Sequence, residues 1–566
     1  MKFKNLYIAF VATTTLSIGM FSCSDSFLDE KMYSNYGPEV KDYKAKVLGM
    51  HRTFAALWGE SGEQGFVSCW QLGTDVGVPG AITDAARAFF RYEQMNSDQQ
   101  DVGILWERLY EMIDRANLVI AEVEADENGN QAELAAYKAE AMFFRAYAYN
   151  MLVTMWGNVP LVVESTTVPK TDYVREDVAK IDELIESDLT FAIANLPEID
   201  KLETESRISK DAARQMAGEA YLRMGMRDAS YFKKAEDVVT PIINEGKYKL
   251  IAERYGKFLS DAGDYYSDMF RWGNQRRSQG NTEGIWTFQM EYERDVTGGT
   301  VGSPQQRRNW VPAFHKIEGM QNADSIGGRG NGRLRISNYV KYGLFANGDI
   351  RNSNHNIRRQ LYYNRSDFEK VIGIDANGWR VEADKGVRNV TVRTGDPVTL
   401  AETDSTEVCY PHPTKWGGYD PQDDFGFAIV KDWPVMRLGE TYLLRAEARF
   451  RQGNNQGAAE DINVLRDRAF KATRASSGNT DQGKVSASDI NLGFILDERI
   501  RELVSEENRR MTLVRTNTLK ERIALNGETA PTYTITGFQD YHTLLPIPLN
   551  DINLNKDAVL EQNPGY

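Results

Sequence analysis

One pattern in this chain restricts its fold more than any other. Gly218-Glu-Ala-Tyr-Leu-Arg-Met-Gly225 is echoed by Ala446-Glu-Ala-Arg-Phe-Arg-Gln-Gly453, and more faintly by Ala139-Glu-Ala-Met-Phe-Phe-Arg-Ala146. After each of the first two, a short turn leads into a second helical stretch, Lys234-Ala-Glu-Asp-Val-Val and Ala458-Ala-Glu-Asp-Ile-Asn. Small residues at such positions let two helices approach closely, as in tetratricopeptide-type hairpins. The copies lie too far apart for an unbroken array. The chain is therefore expected to be mostly α, with paired helices forming a scaffold into which another segment is inserted.

Periodicity fills in that outline. Leu105, Leu109, Met112, Ile113, Ala116, Val119, Ile120 and Val123 share one helical face, and the next stretch, Ala139 to Met155, is apolar nearly all round. It ends at Gly157, and Pro160 forbids its continuation. Helices return at 436–450, 457–470 and 493–515. The segment between, rich in Gly, Asn, Asp and aromatics, has few helical stripes; Gly284-Ile-Trp-Thr-Phe-Gln and Val387-Arg-Asn-Val-Thr-Val-Arg are expected as short strands. The predicted organisation is a scaffold over 41–260, a loop-rich ligand-binding insert over 261–430, more scaffold over 431–515 and a closing segment over 516–566. Loops on a rigid scaffold are where binding residues concentrate.

Several functions are excluded. The net charge of -14 lacks the clustered Lys/Arg surplus that nucleic acid needs, so no nucleic-acid partner is expected. Three cysteines, Cys23, Cys69 and Cys409, cannot make a disulfide framework, and the five histidines form no metal-ligand spacing, so neither metal nor cofactor is expected. Nucleophile-elbow, zinc-protease and Walker motifs are missing. Gly328-x-Gly330-x-Gly332 has no strand before it or helix after it, so it fails as a dinucleotide loop. Asp261, Asp264 and Asp268 lack calcium-loop spacing and read as structural or solvated. Arg437, Glu440, Glu447, Glu498, Arg499, Arg501 and Glu502 cluster on predicted helices, where i,i+3 and i,i+4 pairing within the scaffold explains them better than catalysis. A glycosidase carboxylate pair is defined in space rather than along the chain, so spacing leaves it open.

The N-terminus reads as an address. Lys2 and Lys4 precede a short apolar run from Leu6 to Met20, too short for a span of about 20 apolar residues. It runs into Ser22-Cys23, which resembles a bacterial lipobox: a signal peptide over 1–22, acylation of Cys23, then an acidic tether over 23–40. Acyl chains contribute about 0.8 kcal/mol per buried CH₂, enough for stable anchoring when two or more are present. No later segment qualifies as a span.

Longer stretches carry a family resemblance. Phe144-Arg-Ala-Tyr-Ala-Tyr-Asn-Met-Leu-Val running into Trp156-Gly-Asn-Val-Pro-Leu-Val162, Pro434-Val-Met-Arg-Leu-Gly-Glu-Thr-Tyr-Leu-Leu-Arg-Ala-Glu-Ala448, Ile462-Asn-Val-Leu-Arg-Asp-Arg-Ala469, Asp497-Glu-Arg-Ile-Arg-Glu-Leu503, Leu545-Pro-Ile-Pro548 and Gln562-Asn-Pro-Gly-Tyr566 resemble the SusD/RagB family of Bacteroidetes nutrient-binding lipoproteins. Ser505-Glu-Glu-Asn508 and Met511-Thr512 depart from its pattern. The resemblance implies four tetratricopeptide-like pairs and an irregular binding region. It further implies an outer-membrane, outward-facing lipoprotein that is not an enzyme and that passes a glycan to a SusC-like TonB-dependent transporter. A peptide-binding RagB-like receptor, a protein-binding adaptor and a secreted glycoside hydrolase remain as alternatives.

Sugars present apolar CH faces and hydroxyl rims, which receptors meet with aromatic platforms and polar side chains. Candidate ligand contacts on predicted loops are Trp70, Asp75, Arg87, Phe90, Tyr92, Tyr292, Asn309 and Trp310. The resemblance places a ligand-contacting acid near Asp75 and aromatics near Tyr292 and Trp310, so these three are expected to form the platform.

Overall fold

The structure is a computed structural model. It describes residues 41–59, 67–80, 84–166, 168–290, 306–324, 327–400, 408–418 and 431–566. Of the first of two compact units, Met1–Ala45, only residues 41–45 are among these; the second, Lys46–Tyr566, carries the fold. The expected lipobox at Cys23 lies outside the described residues.

The principal helices are α1 (Tyr43–Gly59), α2 (Gln100–Glu124), α3 (Gln131–Trp156), α4 (Val178–Asn195), α5 (Lys210–Met224) and α6 (Ser230–Asn244). After a long excursion come α7 (Leu438–Arg451), α8 (Asn455–Ala469), α9 (Leu492–Leu503) and α10 (Arg509–Arg515). Their starts are encoded locally. Asn130, Asp177, Ser209, Asn454 and Asn508 each accept a hydrogen bond from a first-turn backbone N–H, satisfying donors that the helix itself leaves orphaned. Gly157, at φ 75, stops α3 in a conformation that a side chain would strain.

From α2 to α6 each helix packs on the next, and α6 packs on α7, which packs on α8. The row is continuous in space although the chain leaves it for nearly two hundred positions between Asn244 and Leu438. The repeated pattern explains the close approach. A Cβ on Gly218 would stand 2.4 Å from Val239 of α6, and one on Gly225 would stand 2.4 Å from the Phe232 ring. In the second copy Ala446, Ala458 and Ala459 fill the α7–α8 seam with Ile462.

A buried arginine in or next to each copy ties neighbouring helices. Arg145 donates to Asp188 at 2.7 and 2.8 Å and to Asn117. Arg223 donates to Asn150 and pairs with Asp182. Arg445, immediately before the last copy, pairs with Asp461 at 2.6 Å. Ion pairs therefore run across helices: Arg437 meets Glu502 and Glu506, Glu440 meets Arg499 and Glu447 meets Arg515. Within the cluster named from the sequence, only Arg501–Glu498 follows helical spacing.

The insert is fastened where it leaves and re-enters the scaffold. Strand Gly284–Phe288 pairs antiparallel with Trp433–Arg437, placing Trp286 4.5 Å from Phe54 and Trp433 4.7 Å from Trp58 of α1. Beyond lies a three-stranded sheet, Arg380–Val381, Glu369–Ile374 and Arg388–Arg393, over an apolar cluster of its own that includes Phe314, Leu361, Tyr363 and Phe368. Both strands expected from the sequence are present. The helix expected over 493–515 is broken instead. Ser505 takes φ 67, and the break turns Glu506 and Glu507 inward onto Arg437 and Arg499.

The closing segment seals the end of α3. Trp156 Nε1 donates to the Pro546 carbonyl, the Leu545 N–H to Met155, and Asn563 to both Trp156 and Leu545. Among the described residues no helix is long and apolar enough to cross a membrane.

Replacing Asp188 by Ala strands the Arg145 guanidinium in the α3–α4 seam. Removing one partner of a buried pair costs about 3–5 kcal/mol, so chemical denaturation of Asp188→Ala should show a much lower midpoint with an unchanged slope. A midpoint equal to the parent's would remove the crosslink from the account of scaffold stability.

Candidate functional site

The structure separates the candidate contacts. Trp310 is fully buried, its carbonyl accepting from Tyr410 Oη. Asp75 is fully buried and held by Arg509 at 2.7 and 2.9 Å and by Arg522 at 2.6 Å. Burial would raise the Asp75 carboxyl, but the two arginines outweigh it and keep it below the ordinary aspartate value. Neither residue can present a face to a sugar, so the expected platform of Trp310, Tyr292 and Asp75 does not stand; Tyr292 lies outside the described residues. Trp70 and Tyr92 are also interior. Trp70 stands edge-on to Trp58 at 4.4 Å, and the Tyr92 hydroxyl donates to Gly73 and accepts from Arg510. Asn309 is buried. Arg87 and Phe90 border a cleft of about 440 Å³ shared with Pro79, Gly80, Arg91 and Pro531. There Arg87 is exposed while Phe90 keeps only 5% of its surface, so the cleft has charge but little aromatic face.

A different opening has both. A groove of about 530 Å³ is lined by Phe258, Arg271, Trp272, Asn354, His355, Gln360 and Tyr362, with Lys257 at its rim. This volume suits a ligand of several rings. Trp272 is 38% and Tyr362 47% exposed, an unusual state for such large apolar faces in one concavity.

The walls of the groove are held rigidly. Asp264 caps the short helix Tyr265–Asp268 through the Ser267 N–H at 2.7 Å. The same carboxylate accepts from Ser353 Oγ at 2.6 Å and Asn356 Nδ2 at 3.0 Å, joining the 257–272 wall to the 350–362 wall. Thr414 completes the frame by donating to the His355 carbonyl at 2.6 Å. Asp268 pairs with Arg254 and Asp261 with Arg271, so all three aspartates are structural. The Arg271 guanidinium lies 3.9 Å from the Phe258 ring centre, and Lys257 Nζ lies 5.8 Å from that of Trp272.

Sequence reading missed this groove because Trp272 follows a run of buried aromatics, Tyr265, Tyr266 and Phe270. A usable signal existed at Leu361-Tyr362-Tyr363. In extended chain successive residues face opposite sides, and here Leu361 and Tyr363 are each 2% exposed while Tyr362 points out.

Two other polar clusters are accounted for. A small cavity of about 90 Å³ is lined by Trp58, Trp70, Glu219, Glu440 and Arg499 among others, with room for water but not for a sugar ring. Burial, and then neighbouring Glu440, push the Glu219 carboxyl up to about 7. Glu198, Asp211 and Glu245 converge closely enough to hold a cation, but Lys210, Lys247 and Arg214 already neutralise them. Cys69 and Cys409 are buried and not joined in a disulfide.

The whole-chain comparisons agree on one family. The SusD family pattern matches residues 268–566, over half of the chain, and a second pattern, described as starch-binding associating with outer membrane, matches residues 26–222. The chain belongs to the SusD family. It is 24% identical to SusD-like protein P25 of Formosa agariphila across the full length of both. It is 38% identical to starch-binding protein SusD of Bacteroides thetaiotaomicron over 135 residues, 24% of this chain and 22% of that one. Its fold matches surface glycan-binding protein A from Bacteroides fluxus with a TM-score of 0.67 at 19% identity, covering 94% of this chain and 100% of that one.

The Glu219 carboxyl makes a signed prediction. Its folded value of about 7 exceeds the ordinary 4.5, so the folded state binds the extra proton and stability falls as pH rises through that window. Glu219→Gln removes the fall. At pH 8 the variant should be more stable than the parent by about 1–3 kcal/mol, with little difference near pH 4; a variant less stable at pH 8 would contradict the assignment.

Proposed function

We propose that this chain is a lipid-anchored protein of the outer cell surface that binds a glycan and hands it to a SusC-like TonB-dependent transporter, doing no chemistry itself. The observation that carries the reading is the Trp272–Tyr362 groove: two exposed aromatic faces in one rigid concavity, rimmed by amide, imidazole and guanidinium groups. Pyranose rings bury CH faces against such rings and hydrogen-bond at their edges. The names of the relatives, starch-binding and surface glycan-binding, point the same way. The carboxylates named in the sequence cluster, Glu440, Glu447, Glu498 and Glu502, are each paired with arginine inside the scaffold, which leaves them no role at an exposed glycosidic bond. Anchoring rests on Ser22-Cys23 after the apolar run.

Two measurements test this reading. Stacking on one ring is worth about 1 kcal/mol or somewhat more, so Trp272→Ala should weaken glycan binding about tenfold in affinity gels or calorimetry, with an unchanged melting temperature. Full affinity in that variant would move the site elsewhere, and binding of peptides in place of glycans would favour a RagB-like receptor. Separately, Cys23→Ala should shift the protein from the membrane fraction to the soluble fraction or leave an unprocessed precursor. Processing and membrane retention as in the parent would refute the anchor.

A further inference from the structure

We propose that the sugar taken by the Trp272–Tyr362 groove is anionic, carrying a uronate carboxylate or a sulfate ester that sits beside Lys257; this rests on the glycan-binding reading of the same groove. The chain has 81 acidic residues against 67 lysines and arginines, yet the groove reverses that balance. Its lining holds Lys257, Arg271 and Arg358, and among the described residues it holds no aspartate or glutamate. A concavity with low-dielectric walls and charge of one sign concentrates counter-charge from solution.

Two of the three cations are already matched. Arg271 pairs with Asp261 at 2.8 Å and Arg358 with Asp324 at 2.6 Å. Lys257 is exposed, and its described neighbours include no carboxylate within ion-pair distance. Its ammonium is held over the Trp272 ring, where a stacked sugar would bring a ring substituent. Gly273, at φ 83, lies beside it: a Cβ there would stand 3.0 Å from Nζ.

The hydrogen-bonding inventory agrees. Neutral sugar hydroxyls need acceptors as well as donors, whereas carboxylates and sulfates only accept. Asn354 Oδ1 accepts from the Arg359 and Gln360 N–H groups, which leaves its Nδ2 as the outward function. The Lys257 ammonium and Asn354 Nδ2 are thus donors in the groove, set against Gln360 Oε1 as an acceptor, and an acceptor-only group would answer the two donors.

The test uses purified full-length protein on an array of neutral, uronate-containing and sulfated oligosaccharides, followed by calorimetry of the strongest hit at 50 and 500 mM NaCl (about a threefold change in screening length). Expected are acidic hits only, about tenfold weaker binding in Lys257→Gln at low salt, and a smaller difference at high salt. Carboxyl-reduced and desulfated forms of the hit then show which anion is read. Neutral hits that Trp272→Ala weakens would overturn the anionic assignment while leaving the groove as the glycan site. Acidic hits that Lys257→Gln leaves equally tight would also overturn it. Hits insensitive to Trp272→Ala, or no hit of any class, would overturn the glycan-groove reading and this inference with it.

Discussion

Glu502 has no solvent contact, yet its carboxylate receives Arg437, Arg468 and Arg351. Its backbone carbonyl also accepts from Arg437, Lys415 and Tyr266. Burial opposes the charge, but Arg468, Arg437 and Arg351 hold the carboxyl well below the ordinary glutamate value. Arg437, Arg468 and Glu502 belong to the helical scaffold, whereas Tyr266, Arg351 and Lys415 belong to the insert. Glu283 joins the network by accepting from Arg468 at 2.6 Å, and Glu498 accepts from Arg351 and Arg466. Such a network contributes more to geometric specificity than to net stability, because desolvation offsets most of the attraction while a missing partner is costly. The insert is therefore tied to the scaffold through defined charged partners at Glu502.

That constraint reaches the groove in a few steps. Tyr266 lies in the short helix capped by Asp264, and Asp264 is the carboxylate that ties the two groove walls together. Arg351, whose guanidinium meets Glu502, stands just before Ser353 and Asn356, the other ends of those ties. Lys415 adjoins Thr414, which pins His355. Trp272 and Tyr362 are thus exposed faces on chain segments whose neighbouring residues are locked into the protein's charged core. Preorganised faces lose little freedom when a ligand stacks on them, so more of the contact energy appears as affinity.

The scaffold was legible in the sequence because its signals are local. Helical periodicity and the small-residue echoes at Gly218 and Ala446 each reflect neighbours within one hairpin. The family resemblance lay in the same stretches, and residues such as Arg437, Glu447, Arg468 and Glu502 prove to be the charged core. The candidate site was poorly legible for the complementary reason. Whether an aromatic is platform or core depends on chain remote in sequence: the Trp310 carbonyl accepts from Tyr410, and Asp75 meets Arg509 and Arg522. The Gly-, Asn- and Asp-rich composition of the insert suggested exposed loops, but here polar chain folds over its own apolar cluster. Ser505 shows the same limit on a smaller scale, since the αL turn that splits 493–515 accompanies pairing of Glu506 and Glu507 with Arg437 and Arg499, partners outside its own turn.

If the charge-locked insert presents Trp272 and Tyr362 to a glycan, the ligand must be found stacked there. A crystal structure of the protein with its bound oligosaccharide tests this most directly. The account predicts a sugar ring against Trp272 or Tyr362, with the Glu502 network unchanged from the unliganded state. Sugar density beside Arg87 and Phe90 with the Trp272 groove empty would contradict it.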